Sequence, residues 1–265
     1  MVSKKTLAIG GSITVAVAVV IVVPSVLLTP RTAQFRAAFV EGCEEYGEAS
    51  YTCEKILNTF EQAYVGKDHC GFAEENYNQL FASNPFSHQC GRTMLWSGTE
   101  DVIDRFAENS GDVILAKTLL GSVLDGLEWC GAEGSKNTFI YLCKTCDPNP
   151  VSSFWRTASA KFAEYACGYV NAILDGEITE PYYSKSHFAS YEVPNLQPYK
   201  VTHLSVLLVT ESGGHCDCES LGTLRQDLDY RISCSCHAAT RSTVKKCMEQ
   251  NTTSDDCLRN LLNSN

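Results

Sequence analysis

"LSVLLV", residues 204–209, is apolar on both faces of an extended chain. A strand with one wet face alternates apolar and polar residues. One that does not is covered on both sides, as in a parallel sheet flanked by helices. Working outward, RTMLWS (92–97), FASYEV (188–193), the full VTHLSVLLVT (201–210) and YRISCSC (230–236) carry the same strand texture. Short helical pieces lie between them, TEDVIDRFAENS (99–110) and LGTLRQDL (221–228). That alternation predicts a small parallel sheet with crossover helices.

Elsewhere the spacing is helical. RAAFVEGCEEY (36–46), YTCEKILNTFEQAYVG (51–66) and AEENYNQLFA (73–82) place apolar residues three and four apart. VILAKTLLGSVLDGLEWCG (113–131) continues the pattern, with Leu115, Leu119, Val123 and Leu127 on one face. The clearest helix is DPNPVSSFWRTASAKFAEYACGYVNAIL (147–174), where Asn149 suits the N-cap and Pro150 the first helical position. Phe154, Ala158, Phe162, Ala166, Val170 and Ile173 mark its buried stripe. The reading is α/β (α+β). A helical subdomain (about 37–90 and 115–167) is interleaved with a small parallel-sheet α/β subdomain (about 91–114 and 168–265), with a cleft between them.

Residues 7–28 contain no charge, and these 22 residues would cover roughly 30 Å as a helix, a bilayer core. A cleaved signal peptide has a shorter apolar core and a small-residue cleavage site, which TPRTAQFR does not offer. Lys4 and Lys5 precede the run. The expectation is a cytoplasmic tail (1–6), a transmembrane signal-anchor (7–29), a stalk (30–36) and an ectodomain (37–265), in a single-pass type II protein of the plasma membrane. All fourteen cysteines follow residue 42, and beyond an anchor they imply seven disulfides. Asn251 begins the one N-glycosylation sequon, NTT. The net charge of −10, with no basic stripe interleaved with aromatics, argues against a nucleic-acid partner.

Several side chains are candidates for chemistry. Glu192 ends a strand-like run just before Pro194, where a carboxylate is either solvated decoration or aimed into a cleft. Trp96 ends a predicted strand, the edge where open α/β sheets place ligands, and Trp155 lies in the first turn of the strong helix. Either is ordinary core, or the two together sandwich a flat ring. Asp125 sits within an apolar helix with Thr118, Gly121 and Ser122 before it. HCDC (215–218) and CSCH (234–237) offer zinc ligands at tight spacing, and two cross-strand disulfides explain them as well.

LWS (95–97), TLLGSVLDGLEWCG (118–131), NPVSSFWRTASAKFAEYAC (149–167) and EVPNLQP (192–198) together resemble the ADP-ribosyl cyclase family, ecto-enzymes that consume NAD. The resemblance runs from about Arg36 to Cys257 and is specific, because these stretches are long, ordered and unusual in composition. It implies the pairs Cys43–Cys53, Cys70–Cys146, Cys90–Cys167, Cys130–Cys143 and Cys247–Cys257. The pairing among Cys216, Cys218, Cys234 and Cys236 stays open. It implies that Glu192 is the catalytic glutamate and that Trp96 and Trp155 position the nicotinamide end and the emerging base. It places Asp125 near the carboxamide, and Ser97, Ser159 and Phe188 at the diphosphate. One departure stands out: where the family commonly has two acidic or polar residues before the LLG helix, this chain has Ala116 and Lys117, and His187 also differs from the residues other members place in the pocket. These three positions bear on product partition.

The implied function is cleavage of the nicotinamide–ribose bond of NAD or NADP, to nicotinamide plus ADP-ribose or cyclic ADP-ribose, with base exchange on NADP. NAD is then substrate, and neither a cofactor nor a metal is called for. Nicotinamide-type bases are the other small partners, and a homodimer is compatible with the sequence. Two alternatives remain: a surface receptor or adhesion ectodomain that has lost turnover, for which Ala116 and Lys117 argue, and a zinc-dependent hydrolase built on the Cys/His cluster.

Overall fold

The computed structural model describes residues 30–136, 143, 146–249 and 261–262. The tail, the apolar span, Asn251 and Cys257 lie outside the described residues; among the described residues no helix is long and apolar enough to cross a membrane.

Four strands, β1 (Thr93–Ser97), β2 (Gly168–Asp175), β3 (Val201–Thr210) and β4 (Ser233–Thr240), form one wholly parallel sheet in the order β1-β2-β3-β4. β3, the strand apolar on both faces, lies inside it, as that composition predicts. Leu204 and Val206 pack on one face with Val170, Ala172 and Phe162, while Leu207 and Val209 pack on the other with Ile173, Phe106 and Val244.

The helical part comprises α1 (Pro30–Glu45), α2 (Ser50–Tyr64), α3 (Asn78–Ser83), α5 (Leu119–Leu124) and the first half of α6 (Pro150–Tyr165). α4 (Ile103–Ser110) and α8 (Arg241–Glu249) cover one sheet face, and α7 (Leu224–Asp227) lies toward the other. An aromatic core of Phe35, Phe39, Phe60, Tyr77, Trp129 and Phe154 fills the helical part. α6 joins the two halves: Phe154 and Ala158 enter the helical core, whereas Phe162 and Ala163 enter the sheet core. The boundary between the subdomains therefore falls inside this helix and not near residue 167.

Three local expectations are corrected. Residues 30–36 are the first turns of α1 and not a stalk, since Thr32 and Phe35 are buried and Arg36 is paired with Glu61. The helix begun at Asn149 ends at Tyr165, so Val170 and Ile173 belong to β2. Its start is as read: the Asn149 side chain accepts from the Val151 and Ser152 N–H groups at 3.0 Å each. At its end Gly168 turns the chain with φ +70°, a region that favours glycine, and the β-branched run after it extends. The third correction concerns 113–131, which is not one helix: Leu115–Lys117 is a 3₁₀ turn and α5 spans six residues. A Cβ on Gly121 would fall 1.9 Å from the Leu115 carbonyl oxygen, so only glycine lets that turn lie against α5.

Among the described residues six disulfides are formed, including Cys43–Cys53, Cys70–Cys146, Cys90–Cys167 and Cys130–Cys143, as the resemblance implies. The open pairing resolves as Cys216–Cys236 and Cys218–Cys234.

Candidate active site

Glu192 closes a single π-helical turn, Phe188–Glu192, that runs directly into a 3₁₀ turn at Val193–Asn195. The strand expected over 188–193 is therefore not formed. Ser186 starts the turn: its hydroxyl accepts from the Ala189 N–H at 3.1 Å and its carbonyl from the Ser190 N–H at 2.9 Å. Phe188, Ala189, Glu192, Val193 and Leu196 are all buried, and that spacing is helical. Tyr191, Val193 and Pro194 mask the pattern because they favour extended chain. Single π turns occur often at functional positions, and this one packs against α6 and the end of β1.

The Glu192 carboxylate is only 6 % exposed. The Ser159 hydroxyl on α6 stands beside it and favours its charged form. Its Oε2 atom makes no hydrogen bond to any described residue. Burial pushes the carboxyl up to about 8, against the smaller downward pull of Ser159. Ser159 is itself 2 % exposed, and its Oγ lies 3.3 Å from His187 Nδ1. Trp155 precedes Ser159 by one helical turn, so both lie on one side of α6. The Trp155 backbone favours the protonated His187 ring, against the larger effect of burial, which lowers its pKa. Glu192, Ser159, His187 and Trp155 thus form one connected group. Arg156 and Tyr191 flank it, with the guanidinium 5.8 Å from the phenol ring centre and the His187 ring 5.4 Å from the same ring. Neither flanking residue was among the sequence candidates, although Arg156 follows Trp155 and Tyr191 precedes Glu192.

Trp96 is the penultimate residue of β1 and half-buried, as is Ser97 beside it. Gly98 then turns the chain at φ +71°, and a Cβ there would come 3.0 Å from that of Asp175. Trp96 and Ala116 both pack against the cluster containing Met94 and Ile173, whereas Trp155 packs against the helical core. The two indoles therefore come from different subdomains, while Trp129 is fully buried.

Other candidates change character. Asp125 is not inside a helix: it is the exposed C-cap of α5, with extended backbone. The Phe188 ring is 1 % exposed and stands edge-on to Tyr182, so that side chain is core and offers nothing to a diphosphate. Lys117 is exposed and lies 3.6 Å from Asp104 and 3.7 Å from Glu108 of α4. The four cysteines of HCDC and CSCH are consumed as disulfides and supply no thiolate to zinc. Among the described residues the one group of donors spaced for a metal, His69, Cys70 and Cys146, has both sulfurs in a disulfide. A cavity of about 340 Å³ lined by Tyr46, Asn84, His88, Lys117 and Leu120 shares no residue with the Glu192 group.

The sequence profile described as ADP-ribosyl cyclase matches residues 32–257. The chain belongs to the ADP-ribosyl cyclase family. Mouse ADP-ribosyl cyclase/cyclic ADP-ribose hydrolase 1 is 30% identical over 253 residues, 86% of this chain and 83% of its own. Porcine CD38 complexed with a covalent intermediate, ribo-F-ribose-5'-phosphate, is 31% identical with a TM-score of 0.70, covering 78% of this chain and 96% of that one. Aplysia cyclase complexed with substrate NGD and product cGDPR is 25% identical with a TM-score of 0.69, covering 84% and 96%. The cyclase fold accounts for the mixed architecture, a parallel sheet joined to a helical half and tied by disulfides.

Proposed function

We propose that this cyclase-family chain consumes NAD or NADP, breaking the nicotinamide–ribose bond to release nicotinamide with ADP-ribose, cyclic ADP-ribose or both. The observation that carries the reading is the buried Glu192 carboxyl with one oxygen unpartnered. A buried acceptor without a hydrogen bond costs roughly 1–3 kcal/mol, a cost a bound ligand can remove. Nicotinamide leaves as a neutral base, so the developing charge is a ribosyl oxocarbenium and little proton transfer is needed. With Ser159 beside the carboxyl, the unpartnered oxygen is free to take a ribose hydroxyl, shield the cation or bond to it. Burial by itself favours the neutral acid. A pyridinium cation alongside lowers that pKa, so substrate itself favours the charged form that the transition state requires. Trp96 and Trp155, one from each subdomain, are suited to holding the flat base.

The paired cysteines support an oxidising compartment. We place the catalytic domain outside the plasma membrane, anchored by residues 7–29, with Asn251 glycosylated and nicotinamide-type bases exchanging into NADP. NAD is consumed as substrate in this scheme.

Turnover of an etheno-NAD analogue by the purified chain tests the reading, and a complete lack of signal would leave a surface receptor on the same scaffold. Ser159→Ala is expected to lower kcat/KM about ten- to a hundred-fold at neutral pH, the loss of one hydrogen bond to a charged group. Ser159 lowers the Glu192 pKa and the carboxylate is the active form, so its loss moves the acidic limb of the kcat/KM profile to higher pH. An unmoved limb would remove Ser159 from the mechanism. Ala116 is proposed to make hydrolysis less dominant than in members with an acidic residue there. Chromatography of the products from NAD should show a substantial cyclic fraction that falls in Ala116→Glu. ADP-ribose alone from the unaltered chain would refute that role.

A further inference from the structure

We propose that His187 is a positioning residue for the reaction, directing through Ser159 the single hydroxyl proton that Glu192 receives. This rests on the functional reading above. Ser159 Oγ lies 3.3 Å from His187 Nδ1 and beside the Glu192 carboxyl, whose charged form its hydroxyl favours, and it has one proton to donate. When His187 Nδ1 carries hydrogen, it donates to Ser159 Oγ, and the serine proton is left for Glu192. When Nδ1 is bare, it competes for that proton and the carboxylate loses the support of the hydroxyl. Both partners of the choice are held in place. Ser159 is fixed on α6. The His187 ring meets the Trp155 backbone and stands against Tyr191. The charged groups acting on it are Arg156 on α6 and Asp147 before that helix, and Glu74 acts on the neighbouring Tyr191. His187 has no contact with the reacting atoms in this account.

The experiment is a double-mutant cycle on the full chain with NAD, using His187→Phe, His187→Asn, Ser159→Ala and the His187→Phe/Ser159→Ala pair. His187→Phe should lower kcat about ten-fold with KM changed less than two-fold. His187→Asn, whose amide nitrogen can stand near the Nδ1 position and donate, should recover most of kcat. In the Ser159→Ala background His187→Phe should cost nothing further, because the relay is already broken. Additive losses, a change confined to KM, or failure of asparagine to exceed phenylalanine would overturn the relay. Absence of turnover in the unaltered chain would instead overturn the functional reading.

Discussion

Replacing Glu192 by glutamine should abolish turnover by at least about a thousand-fold while making the protein more stable. The activity loss follows from charge. An amide cannot neutralise a ribosyl cation, and removing such a preorganised electrostatic partner typically costs 10²–10³ or more in kcat. The stability gain follows from burial. The Glu192 carboxyl sits at about 8 in the folded protein against an ordinary 4.5. Below the lower value both folded and unfolded chains are protonated there, and the wild type bears no penalty. As pH rises from 4.5 toward 8 the unfolded chain ionises first, so native stability is progressively lost. Glutamine does not titrate. The advantage of Glu192→Gln should therefore open across that window and level off above it, at on the order of 4 kcal/mol. Thermal melts at pH 4.5 and pH 8.5 check this. Equal melting temperatures for the two proteins at the higher pH would mean that the carboxylate is solvated or paired, and the site as described would fail. A buried group costly to fold around and necessary to react is the usual exchange of stability for activity.

Trp129→Ala should strongly destabilise the helical half. The indole is 1 % exposed, with ring centroids 5.2 Å from Phe60 and 5.5 Å from Phe154. Its Nε1–H donates to the Tyr77 hydroxyl at 3.0 Å, and that hydroxyl donates to the Pro150 carbonyl at 2.9 Å. Truncation removes a large buried ring, typically about 3–5 kcal/mol, and leaves the Tyr77 oxygen without its donor. Pro150 is the first residue of α6, so the damage reaches the helix that carries Trp155 and Ser159. A fall in melting temperature of roughly 10 °C is expected. A loss below about 1 kcal/mol would show that this aromatic core does not hold the helix in place.

The three tryptophans show how far the sequence could be read. Trp96 was placed correctly near the end of a strand, and Trp155 lies in the second turn of its helix where the first was expected. Nothing in their neighbourhoods says that one packs with the sheet cluster and the other with the helical core. Asp125 failed for a related reason. Apolar residues four apart describe a helix whether or not the chain continues it, and here the preceding 3₁₀ turn and the extended backbone at Asp125, followed by Gly126 at φ +71°, restrict α5 to six residues. β2 was hidden because the stripe of α6 runs on in phase through Val170 and Ile173. Only the turn at Gly168 and a neighbouring strand for those residues to pair with convert that stripe into a strand.

By itself the sequence disclosed the mixed helix and parallel-sheet class, and its resemblance to the family implied four of the disulfide pairs and singled out Glu192 as the candidate carboxylate. Apolar patterning, cap chemistry and contiguous motifs are local properties of a chain. Only the tertiary structure decided that Glu192 is buried on a π turn, that Ser159 stands between it and His187, and which of the last four cysteines meet. Those facts depend on which distant segments come within hydrogen-bonding or bonding distance, and no local spacing encodes that. The raised carboxyl pKa has the same origin, since desolvation is imposed by residues remote in sequence.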